Sequence, residues 1–153
     1  MGAVRWVCAW RIAFRFFKGI IMANKVYFSK DAQGNIWAYS FHCPGCNCGH
    51  QFIVAQPKNA DGSEYLDKKY PIWTFNGNLE KPTFSPSLLY RSKWHPSGQA
   101  LATEDEHKKV VAGEKLARQP HVCHTFVRDG QIDYLFDCTH EYAGKIIDME
   151  DVD

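Results

Sequence analysis

Residues 122–140, VCHTFVRDGQIDYLFDCTH, decide the fold. The run divides at Asp129-Gly130, a pair suited to the type I′ turn of a two-residue hairpin, whose central positions both need positive φ. That turn fixes the register. Arg128 faces Gln131 and Val127 faces Ile132; further out, Cys123 falls opposite Phe136 and Cys138 opposite His121. Side chains alternate across a strand, so Cys123, Thr125, Val127, Ile132, Tyr134, Phe136 and Cys138 share one face with His121. Its apolar weight marks it as the core side. His124, Asp133 and Asp137 fall on the other face, and His140 joins the core face if the strand continues.

Upstream, the same strand-and-turn rhythm repeats. KVYFS and IWAYSF read as strands joined by the turn DAQGN, and QFIVAQ reads as a third strand. PKNADGSEYLDKKYP is a polar loop, and IWTFNGNLEKPTFSPSLLY holds a strand, an Asn76-Gly77 turn and a return through Leu88, Leu89 and Tyr90. Residues 93–119 break the pattern. Within them ATEDEHKKVVAGEKLA is expected to form about three helical turns, with Gly113 weakening it. The tail DMEDVD is acidic and expected to fray. The fold class is therefore all-β or β-rich α+β, a small antiparallel sheet domain braced by a metal site, with one helical insertion.

The 153 residues suit one domain, and a net charge of +1 creates no field that would draw the chain to nucleic acid. Residues 1–22 carry Arg5, Arg11, Arg15 and Lys18 without an acid, opposite a stripe of Trp6, Trp10, Phe14, Phe17 and Ile21. They read either as an interfacial membrane helix or as translation upstream of a start at Met22, and the second is preferred. A membrane is a partner only if this segment is real. The zinc-binding β domain spans 23–150, with 93–119 as its insertion.

Residues 41–50, FHCPGCNCGH, supply half a metal site. A Cys-Pro-Gly-Cys turn puts two sulfurs on one side of a tight bend, Pro44 presetting φ and Gly45 permitting the positive φ that follows. Tetrahedral zinc needs a second, distant pair. Cys43 and Cys46 with Cys123 and either Cys138 or His140 make a Cys₄ or Cys₃His site. His42, Cys48, His50 and His124 are left over, and Cys8 lies outside the site. No secretory peptide is apparent, so the thiols point to a reducing compartment, the cytoplasm. His124 beside Asp137 or Asp133 is a candidate acid–base pair on the opposite face.

FHCPGCNCGH, WTFNGNLEKPTFSPSLL and CHTFVRDGQIDYLFDCTHEYAGK, followed by Asp148, resemble a small uncharacterised family of phages and prophages sometimes mislabelled ammonia monooxygenase. The resemblance runs from about residue 36 to 150, leaving out 93–119. It implies a phage or prophage origin, and its pattern includes His50, the pair Cys123-His124, and Asp137 with His140. The family allows serine at the position of Cys138, which favours His140 as fourth ligand. No activity comes with the resemblance, and a membrane-embedded copper enzyme would need transmembrane helices. The expected function is a phage-encoded zinc-binding module aimed at a host protein, preferred over an enzyme, with SPSLLY or the insertion as part of its contact surface. The alternative is a zinc-dependent hydrolase using a metal-bound water, assisted by His124, Asp137 or Glu141.

Overall fold

The computed structural model describes residues 23–67 and 70–152; both readings of residues 1–22, and Cys8 with them, lie outside the described residues. Two antiparallel sheets make up the fold. The first has the order β1-β2-β3, from Tyr27–Lys30, Ile36–Cys43 and Cys48–Ile53. The second has the order β4-β5-β6-β7-β8, from Thr74–Phe75, Phe84–Trp94, Gln119–Arg128, Gln131–Tyr134 and Ile146–Asp148. The β-rich expectation with one helix is met.

Aromatic rings weld the sheets together. Phe52 of β3 stacks on Phe84 of β5 with centroids 4.2 Å apart and planes 6° apart. Phe41 and Phe75 extend the stack on either side, and Trp73 meets Phe52 edge-on. Such pairs add about 1 kcal/mol each beyond the area they bury. Tyr39 packs on Phe75, so the aromatics of β2 serve the core.

The central hairpin turns at Asp129 and Gly130, with φ of 49° and 77°, and pairs Arg128 with Gln131 and Val127 with Ile132. Along β6, His121, Cys123, Thr125 and Val127 are buried while the residues between them are less so, as the alternation requires. Regular pairing on β7 stops at Tyr134, however. Leu135 N–H still reaches the His124 carbonyl and Thr139 N–H reaches the Val122 carbonyl, so residues 136–138 bow out opposite Cys123 alone. Phe136, expected in the core opposite Cys123, is 89% exposed for that reason.

Three other expectations are corrected. Helix α1 is shorter than three turns, covering Glu104–Val111. Gly113, with φ of 89°, is its stop and not an interior residue: Gly113 N–H bonds to the Val110 carbonyl and Glu114 N–H to that of Lys109. The tail does not fray. Ile146–Asp148 adds β8 to the sheet, Met149 is buried, Val152 N–H bonds to the Asn24 carbonyl, and Lys25 pairs with Asp151. Finally, the positive φ after the Cys-Pro-Gly-Cys turn belongs to Asn47, at 51°, and not to Gly45.

Candidate functional site

β6 carries chemistry on both faces. Inward, Cys123 meets the knuckle between β2 and β3. Its sulfur lies 3.9 Å from Cys43 Sγ, and His50 Nε2 lies 3.3 Å from Cys46 Sγ. The ligand atoms of Cys43, Cys46, His50 and Cys123 all fall within 4.8 Å of one another, and all four residues are buried. A tetrahedron with metal–sulfur bonds of ~2.3 Å has edges of about 3.8 Å, so this cluster could hold a metal ion. Cys123 also belongs to a second group with Cys138 and His140, in which His140 Nε2 is 3.4 Å from Cys123 Sγ. The five ligands named from sequence therefore gather around Cys123 in two overlapping groups. His50, left over in the sequence reading except as a position in the resembled family's pattern, sits in the first.

Crowded sulfurs cannot all ionise alone. Hydrogen bonds from Cys123 and Cys46 draw Cys43 well below the usual thiol range. Cys46 is pushed far above that range, first by its contact with Cys123, and Cys123 is pushed above it by its contact with Cys43. Tyr134 adds a hydroxyl 3.1 Å from Cys43 Sγ. One negative charge is settled among several thiols, and a divalent cation would let the others ionise. Burial, helped by the His140 and His50 rings, pushes His121 down to about 4; burial also lowers His140. Both rings are neutral near pH 7, the state in which imidazole offers a lone pair. His121 stacks on Trp94, centroids 3.3 Å apart, with Nε2 3.1 Å from Cys46 Sγ.

Gly45 has its own reason to be glycine. A Cβ there would lie 2.4 Å from His140 Cε1. The knuckle and the 140 region are in direct contact, which brings His140 over the cluster.

Outward, β6 presents His124. Its Nδ1 lies 3.0 and 3.2 Å from the two carboxylate oxygens of Asp137, and its Nε2 lies 3.1 Å from Ser87 Oγ. A carboxylate only accepts, so Nδ1 carries the proton and Nε2 accepts from the serine hydroxyl. This is the hydrogen-bonded order of a nucleophile, a base and the group that orients the base. The acid–base pair expected of His124 and Asp137 is formed; Asp133 takes no part in it.

Two bulges flank this row. On β5, Phe84 pairs with Val127 and Leu88 with Thr125, so residues 85–87 face Phe126 alone. Leu89 is the direct partner of His124, and Ser87, two residues before it on the same strand, shares that outer face diagonal to His124. On the other side of β6, within the bow at 136–138, Asp137 lies at the surface and Cys138 is buried. Cys138 Sγ accepts from His124 N–H and donates to the His124 carbonyl, both at 3.2 Å. Ser87 was not a sequence candidate as a nucleophile. Its signal was the Ser-Pro-Ser break ahead of Leu88, Leu89 and Tyr90, legible only once the β5–β6 register is known.

A family model described as Bacterial ubiquitination-like system serine protease (BubE) matches residues 15–135. No curated protein and no solved structure matches the chain. The family match corrects the expected kinship with a phage or prophage family, to which nothing here links the chain. It also corrects the functional expectations built on that kinship. Neither a binding module aimed at a host protein nor a hydrolase acting through metal-bound water fits a serine-protease family whose candidate nucleophile is a serine hydroxyl. Among the described residues, no helix is long and apolar enough to cross a membrane.

Proposed function

Because the chain belongs to the family of bacterial ubiquitination-like system serine proteases, we propose that it cleaves polypeptides with Ser87 as nucleophile, His124 as general base and Asp137 as the residue that orients the base. The observation that carries this reading is the unbroken hydrogen-bonded row Ser87–His124–Asp137.

Ser87 Oγ attacks the carbonyl carbon of the scissile amide as its proton passes to His124 Nε2. Asp137 stabilises the imidazolium through Nδ1–H. The same proton then passes to the leaving amine, whose bond to carbon breaks and leaves an acyl ester on Ser87. Water, deprotonated by His124, hydrolyses that ester and restores the hydroxyl. The chain order Ser, His, Asp is no obstacle, since such sites are recognised by geometry and roles.

The inward cluster has a different task. Its soft thiolates and neutral imidazoles suit zinc, and four buried ligands suit a closed structural site that takes no part in the chemistry. Cys43, Cys46, Cys123 and His50 would hold the ion, with Cys138 and His140 beside them. A cluster of closely packed thiols of this kind suits a reducing compartment such as the cytoplasm.

The test is labelling with a fluorophosphonate, which traps activated serines. Wild-type protein is expected to take up one label, located on Ser87 by peptide mapping, and Ser87→Ala to take up none. Labelling that persists in Ser87→Ala, or no labelling of folded wild-type protein, would overturn the assignment. Elemental analysis of the purified chain checks for zinc.

A further inference from the structure

Among the described residues, each sheet leaves an edge on the cleft between them, and β3 ends its sheet. β5 has β6 on one side; on the other, among the described residues, only Thr74 and Phe75 pair with it, at Ser85 and Phe84. Beyond Ser85 that side of β5 has no ladder partner among the described residues. The two edges wall a cleft of about 190 Å³, with Gly49 and Gln51 on the β3 side and Leu88, Leu89 and Tyr90 on the β5 side, and Trp73 also lines it.

The direction of the β5 backbone groups follows from its neighbours. His124 turns its carbonyl toward Leu135 and its N–H toward Cys138, away from β5. Cys123 and Thr125, the alternate residues, therefore bond toward β5, where they face Tyr90 and Leu88. It follows that Leu89 and Arg91 direct both N–H and C=O to the free edge. Ser87, on the same alternation, already offers its carbonyl that way, where Trp73 Nε1 donates to it at 3.2 Å. The open groups thus begin two residues after the nucleophile. Leu89 belongs to both features: its backbone faces His124 across the ladder, and it lines the cleft.

We propose that the cleft receives the substrate as an extended peptide strand, paired antiparallel or parallel to the free edge of β5 through Leu89 and Arg91, so that its scissile carbonyl arrives at Ser87. This rests on the serine-protease reading. An extended peptide satisfies an unpaired strand edge through its own main chain. Recognition of this kind reads backbone at alternate positions and side chains only where they meet the apolar wall of Leu88, Leu89 and Trp73. The substrate class is then a flexible, unfolded segment or tail, because a folded strand already spends its hydrogen bonds in its own sheet.

The experiment compares two probes on the full chain: a small fluorophosphonate, which needs only the activated serine, and a library of tetrapeptidyl phosphonates carrying the same reactive group. The peptide tail is expected to accelerate labelling of Ser87 at least about tenfold, with N-methylation of alternate tail amides removing about five- to tenfold per hydrogen bond lost. N-methylation at the intervening positions is expected to have little effect. Normal fluorophosphonate labelling with no acceleration by any tail overturns the proposal and leaves the triad standing. So does a loss that ignores the two-residue period. If acceleration is absent and sedimentation shows a dimer, the edge belongs to a second copy and the proposal falls. Failure of the fluorophosphonate itself defeats the protease reading instead.

Discussion

Cys123 and His124 are consecutive residues that serve opposite faces of one strand: the Cys123 sulfur lies 3.9 Å from Cys43 Sγ in the buried cluster, and His124 faces Ser87 and Asp137 outside. Asp137 and Cys138 repeat the arrangement, and the Cys138 sulfur closes on both backbone groups of His124. Two of the three groups in the row are thus each bonded covalently to a cysteine of the cluster.

Removal of a metal from the proposed site is therefore expected to disable the outer face. Treatment with a strong chelator, or Cys43→Ala, should lower Tm by about 10 °C for a loss of about 3 kcal/mol. Fluorophosphonate labelling of Ser87 should fall in the same titration, measured by mass spectrometry below the new Tm. A chelated protein that keeps both its Tm and its labelling would show that the cluster braces without metal.

Asp137→Asn keeps the size of the side chain but lets the amide donate, which favours the wrong His124 tautomer. We expect kcat to fall by about 10³–10⁴ with little change in KM. The far-ultraviolet circular dichroism should be unchanged, since the Asp137 side chain is 52% exposed. An equal fall in kcat and in stability would point to a structural role instead.

Gly45→Ala is expected to destabilise by about 1–3 kcal/mol, because the new methyl meets the His140 ring. Denaturant midpoints measure the loss. The double variant with His140→Ala should recover part of it, and a purely additive result would remove steric conflict as the cause.

Glu106 gives the insertion an acid limit. Its carboxylate accepts from Thr103 N–H at 2.8 Å and from Ser97 N–H at 2.8 Å, and these bonds, Thr103 first, hold it down to about 2. An unfolded glutamate titrates near ~4.3. The folded value is the lower one, so this contribution is complete above about pH 4.3 and is lost as the pH falls toward about 2. Limited proteolysis of residues 95–118 should therefore quicken between those limits. Glu106→Gln should be cut faster at pH 7 and lose most of that acid dependence.

Much of this was legible in the sequence, for definable reasons. Asp129-Gly130 fixes a register, and with it the opposite facing of Cys123 and His124. The chelating spacing of Cys43 and Cys46 and the pairing of His124 with Asp137 were also within reach. Bulges were not. No local pattern tells that residues 85–87 compress against Phe126 or that residues 136–138 bow out, so Ser87 stayed hidden and Phe136 was assigned to the core. His50 reaches the cluster only through the β2–β3 pairing of Phe41 with His50.

The bulge at 85–87 and the excursion after the fifth strand set different tolerances along the chain. The excursion between Trp94 and Gln119 joins strands already paired at its base, so lengthening it adds only the slow logarithmic cost of a longer loop. Deleting one residue from 85–87 would instead reverse the facing of Phe84 and its β4 partner relative to the Leu88–Trp94 ladder, because strand side chains change sides with every step. Homologous chains should therefore vary freely in length between the fifth and sixth strands, and hardly at all within those three positions.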